Sequence, residues 1–201
     1  MSLGRQRFAT LRRVMARPPS TAARQSMVQT AAEILRTQGV AACTVEEVSR
    51  QSGVAKTTLY RHFGSIQGLI LAVVDATVKK AKVPDTGTLR GDLVEIQRTY
   101  LRTSRVRTSR ELFVWMLTQS MIDPDFAVRF RHVRVQPTGP TVIVLQRAIA
   151  RGEVSPSIDM DLALHVIQGP FISKRIIDNS DVDEREFNSL IDVVVAAVTA
   201  L

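Results

Sequence analysis

Apolar residues recur along this chain at intervals of three and four, and that spacing constrains the fold more than any other feature. Ile66, Leu69, Ile70, Val73 and Val74 form one such series, which on a helix of 3.6 residues per turn is a single face. Met27, Ala31, Ile34 and Leu35 share a face in the same way. So do Leu89, Leu93, Ile96 and Tyr100, and near the end Phe187, Leu190, Ile191, Val194, Val195 and Val198. No apolar–polar alternation of period two runs between hairpin turn signals, so the chain reads as all-α. Hydrophobic residues make up 45% of the 201 residues, enough to fill a core at this size. The longest unbroken apolar runs, such as 69–74 and 193–198, are six residues long; a membrane-spanning helix needs roughly 20. The single cysteine, Cys43, excludes an internal disulfide framework and a cysteine-cluster metal site, and it is compatible with a reducing cytosol.

Caps and turns set the helix boundaries. The first helix runs from about Ser20 to Gln38 and stops at Gly39. Thr44 and Glu47 have the spacing of a capping box, in which each side chain satisfies a free amide. They open a short helix that Ser52-Gly53 interrupts. The third helix spans about Ala55 to Phe63, and Ser65 caps a long fourth helix after the break at Gly64. Pro84-Asp85-Thr86-Gly87 is a turn. Asp123-Pro124 gives a cap with proline at the first helical position. Pro137-Thr138-Gly139-Pro140 breaks or kinks the chain, and a further helix reaches Arg151. Asp159 and Asp161 open a helix that must bend at Gly169-Pro170, and Asp183 with Glu186 can cap the last one.

Charge is localised. The chain carries a net +8, but residues 1–64 hold ten basic and three acidic residues, whereas residues 65–201 hold 17 and 16. A basic third joined to a near-neutral remainder is the footprint of a nucleic-acid-binding part; a basic tail on an ordinary helical protein has the same arithmetic. The first acid is Glu33, after Arg5, Arg7, Arg12, Arg13, Arg17 and Arg24. Such a start has the composition of a transit peptide and lacks the apolar region of a secretory signal. Pro18-Pro19 separates it from the first helix. Residues 1–19 are therefore read as a flexible basic arm that can lie along phosphates or enter a minor groove, with a solvated tail as the alternative.

The second and third helices, separated by a short turn at Gly53, have the form of a helix-turn-helix, in which the second helix enters the major groove of DNA. Val45, Val48, Val54, Leu59 and Phe63 are the residues available to hold it together. The other face of the third helix offers Lys56, Thr57, Thr58, Tyr60, Arg61 and His62, with no acid among them, as a face laid against phosphates requires.

The stretch TVEEVSRQSGVAKTTLYRHFGS, residues 44–65, resembles the DNA-binding signature of the TetR family of transcriptional regulators in its spacing, its glycines and its Leu-Tyr-Arg-His-Phe ending. With the flanking helices the specific resemblance covers about residues 24–71. Farther on, the Arg151-Gly152-Glu153-Val154 turn, the helix start at Asp159 and the Gly169-Pro170 bend resemble one subtype of the family's effector domain. The resemblance implies an N-terminal three-helix DNA-binding domain (20–65) and a C-terminal helical effector-binding and dimerisation domain (66–201). The helix from Ile66 links the two. It implies a cytoplasmic homodimer on a palindromic double-stranded operator, acting as a ligand-released repressor. Lys56, Thr57 and Thr58 would stand at the mouth of the groove, and Tyr60 and His62 would bind phosphates. Thr44 would donate to a phosphate from its hydroxyl or amide. Arg61 suits base reading, because arginine bonds guanine in bidentate fashion. Two positions depart from the family pattern. Ala55 replaces a small polar cap of the third helix, and Ile66 stands where a lysine is usual, which removes a phosphate contact.

The remainder is expected to sense a small apolar effector, an expectation that rests on composition alone. Tyr100, Trp115, Met116, Phe126 and Phe130 are the bulky groups available to line a pocket, and Gln119 and His165 the polar ones. Aromatics at helical spacing serve equally as ordinary core, and His165, between Leu164 and Val166, reads equally as a core or interface histidine. The arginines at 102, 105, 107 and 110 read as an anion-attracting cluster or a solvated face. The last two helices, about 160–177 and 184–200, each have a strongly apolar side, and in the family this pair packs against its twin. The chain has no Gly-rich phosphate loop, no His-Glu-x-x-His metal site and no nucleophile elbow. No enzymatic activity, cofactor, metal or membrane attachment is therefore expected. The alternative function is a helical ligand-binding or interaction protein of the same fold that reads no operator.

Overall fold

The computed structural model describes residues 21–135 and 139–201. The basic arm read at 1–19, Ser20, and Pro137-Thr138 of the expected break lie outside the described residues. The helices are α1 (Thr21–Thr37), α2 (Val45–Ser52), α3 (Lys56–Phe63), α4 (Ile66–Lys80), α5 (Leu89–Ser104), α6 (Arg107–Ile122), α7 (Pro124–Val135), α8 (Pro140–Ala150), α9 (Met160–Ile172) and α10 (Glu184–Ala200). A 3-10 turn, Val40–Ala42, leads from α1 to α2, and a π turn, Ser173–Ile177, extends α9.

The polar residues read as caps do cap. Ser65 accepts from the amide of Gly68, Asp123 from Phe126, Asp159 from Asp161 and Leu162, and Asp183 from Glu186. The reciprocal box at Thr44 is only half formed. Thr44 Oγ1 accepts from the Glu47 amide at 3.1 Å, but the Thr44 amide is taken by the carbonyl of Ala42 at 2.9 Å. Glu47 is thereby freed to bond Arg50 and Gln51. At Pro170, which has no N–H to give the preceding turn, α9 continues but loosens three residues later into the π turn.

Three buried clusters organise the molecule. The first joins α1 (Met27, Ala31, Ile34, Leu35), α2 (Val45, Val48), α3 (Leu59) and α4 (Leu69, Ile70, Val73). The second joins α5, α8, α9 and α10 around Leu93, Leu145, Leu164, Phe171 and Ile191. A smaller third, of Leu71, Met116, Phe126 and Phe130, lies where α4, α6 and α7 meet. Leu112 and Trp115 of α6 pack against both the first and the third. Thr108, at the start of α6, donates to the carbonyl of Arg36 near the end of α1 at 3.2 Å. The N-terminal unit is thus held to the body through α4 and α6.

Candidate nucleic-acid interface and ligand cavity

Gly53 makes the turn between α2 and α3. Its φ of 69° is left-handed, and its amide closes α2 on the carbonyl of Ser49 at 3.1 Å. Val45, Val48 and Leu59 are buried behind the turn, and Val54 and Phe63 pack partly buried against them, as the sequence reading required. The opposite side of α3 is open, with Lys56, Thr57, Tyr60 and Arg61 exposed and Thr58 half-buried. Ala55 supplies no side-chain cap to α3. The Thr58 amide bonds the carbonyl of Ala55 at 2.9 Å, and the amides of Lys56 and Thr57 before it suit water or an anion at the positive end of a helix. Arg24 of α1 lies over the Phe63 ring, 5.4 Å from its centroid, and adds a third cation beside this face.

Three details correct the sequence reading. The Thr44 amide is spent on Ala42, so only its hydroxyl can meet a phosphate. His62 is half-buried and its Nε2 is shut off from solvent, with no partner among the described residues; a phosphate bond from this ring has to come from Nδ1. Lys56, read as an unopposed donor, is ion-paired at 2.6 Å to Glu46 of α2. Glu46 shares no helix with the recognition face, so a reading confined to α3 passes over it. Ile66 packs partly buried against the first cluster.

Between α4, α5, α6, α7, α8 and α9 lies a cavity of about 400 Å³. Tyr100, Met116 and Phe130 line it, as expected. Trp115, Gln119, Phe126 and His165 are not on its wall. Phe126 is fully buried in the third cluster, with Trp115 edge-on to it at 5.8 Å between centroids. His165 points outward with its side chain 55% exposed, and its Nδ1 lies 2.7 Å from the carbonyl of Asp161. Residues the sequence reading missed complete the wall, among them Val74 and Val78 of α4, Gln97 of α5, Arg134 of α7 and Gln168 of α9. Arg134 follows Phe130 by four residues, so the helical spacing that put Phe130 at the cavity also carried the signal for Arg134. The arginines at 102–110 are engaged locally: Arg105 with Asp181, Arg107 with Glu111, Arg110 with Asn179, and Arg102 with Thr99.

On the far side of the body, α9 and α10 leave Leu162 and Val193 exposed. Burial pushes the Cys43 thiol up to about 11, which leaves it an inert core group. No group of three or more potential metal ligands occurs among the described residues, and none of their helices is long and apolar enough to cross a membrane.

A short cationic helix set on a glycine turn, and carried by a long helix into an all-helical body with its own cavity, defines a helix-turn-helix DNA-binding transcriptional regulator. Residues 28–73 match the bacterial regulatory proteins of the tetR family, and residues 83–194 match the tetracyclin repressor-like C-terminal domain. The chain belongs to the TetR family of transcription regulators. It is 24% identical over 179 residues to the HTH-type transcriptional regulator YdeS of Bacillus subtilis, covering 87% of this chain and 89% of that one. It is 26% identical over 173 residues to the DNA-binding transcriptional repressor TetR of Mycobacteroides abscessus, covering 84% and 90%. Its fold is similar to the crystal structure of the TetR family transcription regulator SCO0332, with a TM-score of 0.73, 26% identity, and coverage of 88% of this chain and 98% of that one.

Proposed function

We propose that this regulator is a repressor that binds a palindromic operator as a homodimer and is released when a small molecule enters the cavity. The observation that carries the reading is the double duty of α4. Its residues Leu69, Ile70 and Val73 lie in the core of the DNA-binding unit, and its residues Val74 and Val78 form part of the cavity wall. A ligand that shifts α4 has to shift the recognition helices as well. Two half-sites are read about one turn of DNA apart, on the order of 34–36 Å, so a small tilt in each subunit spoils their spacing. The ligand need only favour the DNA-incompetent state by a few kcal/mol.

In this reading residues 20–65 form the DNA-binding unit and 66–201 the effector and dimerisation unit, with α4 as the link. Lys56, Thr57 and Thr58 stand at the mouth of the groove and Arg61 reads a base. Tyr60, the Thr44 hydroxyl and His62 Nδ1 meet phosphates. The exposed faces of α9 and α10 join two copies. The name of the Mycobacteroides abscessus relative supports repression, and a regulator of genes works where the DNA is, in the cytoplasm.

The test is selection from random DNA duplexes at two salt concentrations, followed by sequencing. A palindrome retained at the higher salt supports the reading. Binding that vanishes with salt and selects no sequence overturns it in favour of a ligand-binding protein that reads no operator.

A further inference from the structure

The cavity is apolar over most of its wall but it is not neutral. Val74, Val78, Ile96, Phe113, Met116 and Phe130 surround its body, and among the described residues no aspartate or glutamate lines it. One full charge does, the half-buried guanidinium of Arg134. Nη2 of Arg134 donates to the amide oxygen of Gln168 at 3.1 Å, a neutral group, and among the described residues no carboxylate is ion-paired with it. Tyr100 stands on the same wall, with its phenol oxygen buried and, among the described residues, without a hydrogen-bond partner.

A guanidinium beside an apolar wall has lost part of its hydration, and one amide oxygen offsets that only in part. A carboxylate matches the guanidinium fork with two acceptors and a full opposite charge. Size gives the rest of the ligand. A water-sized group occupies about 30 Å³, so a space of about 400 Å³ holds about a dozen non-hydrogen atoms.

We propose that the effector is an amphiphilic acid, a hydrocarbon body of about ten carbons ending in one carboxylate that is held by Arg134. This rests on the reading of the cavity as the effector site. It narrows the composition-based expectation of an apolar effector, because an alcohol or hydrocarbon of the same shape leaves Arg134 without a counterion.

The experiment titrates the full chain with decanoate and with decan-1-ol at neutral pH. The readout is fluorescence of Trp115, the single tryptophan, which neighbours the cavity residue Met116. Decanoate is expected to bind at least about tenfold tighter than decan-1-ol, the ratio a charge-assisted hydrogen bond gives at its weak end. Arg134→Met is expected to abolish that preference by weakening decanoate far more than decan-1-ol, with cooperative thermal unfolding reporting that the variant is folded. Arg134→Lys keeps the preference in part. Equal binding of the two ligands by the unsubstituted chain overturns the acid, a preference that survives in Arg134→Met overturns the role of Arg134, and either leaves the cavity reading standing. Failure of both ligands to bind overturns the two together.

Discussion

The Lys56 ammonium sits 2.6 Å from Oε1 of Glu46, so the first residue of the recognition helix is ion-paired to the first turn of the helix before it. Both side chains are exposed, and such a pair adds little stability. Its consequence is for DNA. The hydrogen bond from Lys56 holds the Glu46 carboxyl below the usual carboxylate range, so a negative charge stands beside the proposed groove contact, and a phosphate must take Lys56 away from it. Glu46→Gln is expected to tighten binding to every DNA sequence. Lys56→Ala is expected to weaken it uniformly and to lower the slope of log K against log salt by about 1. Arg61→Ala should instead relax the choice of one base pair, at about 1–3 kcal/mol. Binding isotherms across salt concentrations separate these outcomes. An unchanged slope in Lys56→Ala would mean that the lysine stays on Glu46 in the complex.

Two glycines hold the recognition helix for different reasons, and substitution by alanine distinguishes them. A Cβ at Gly53 would meet nothing within 4 Å, but its φ of 69° is left-handed. The cost of Gly53→Ala is then backbone strain alone, about 1–2 kcal/mol, and Gly53→Asn should recover part of it. A Cβ at Gly68 would lie 2.1 Å from the carbonyl oxygen of Phe63. No side chain can fit unless the end of α3 moves away from α4. Gly68→Ala should cost about 1–3 kcal/mol of stability and in addition reduce DNA affinity, because the displaced element is the recognition helix. Urea denaturation and DNA binding measured on both variants test the contrast. If Gly68→Ala lost stability but bound DNA as before, α3 would not be the element that gives way.

The ion pair on α2 makes a pH-dependent contribution. The hydrogen bond from Arg50, at 2.5 Å, and a second from Gln51, at 2.6 Å, hold the Glu47 carboxyl down to about 2, against an ordinary value of 4.5. The folded pKa lies below the unfolded one, so the stabilisation is complete above about pH 4.5 and fades as pH falls toward 2. Glu47→Gln should therefore be less stable than the unsubstituted chain at pH 7, with the gap closing on acidification. Urea midpoints of both proteins at pH 7, 4 and 2.5 measure it. A gap as wide at pH 2.5 as at pH 7 would show that the carboxylate's charge is not what stabilises α2.

What the sequence made legible was local. A cap is one side chain and an amide two or three residues away, and Thr44, Ser65, Asp123, Asp159 and Asp183 all behave as their residue types suggest. The apolar stripe of α1 was legible for the same reason: all four of its residues are buried. What was not legible depends on how helices cross. Phe126 and Phe130 share the stripe of α7, yet one is sealed in the third cluster and the other faces the cavity. His165 was read through its apolar neighbours Leu164 and Val166, but on a helix adjacent residues point about 100° apart, and it faces outward. Arg134 was missed because a charged residue in a helix reads as solvated until the neighbouring helices enclose it.

The proposed dimer interface makes the last prediction. Helix α10 buries Phe187, Ile191, Val194 and Val198 against its own body and leaves Val193, 64% exposed, on the opposite side with Ala196 and Ala200. Helix α9 likewise leaves Leu162 and Gly169 outward, and a Cβ at Gly169 would meet nothing within 4 Å. Small and apolar residues at intervals of three and four let two helix pairs approach closely. In a twofold arrangement each patch meets its own copy. Val193→Arg then sets like charges against each other across the axis, without touching the chain's own core. It should convert the dimer to a monomer in light scattering, with its thermal unfolding still cooperative. It should also weaken operator binding, because each half-site is then bound alone. Val193→Ala, which removes area but adds no charge, should remain dimeric at micromolar concentration. A Val193→Arg protein that stays dimeric would assign the interface to another face.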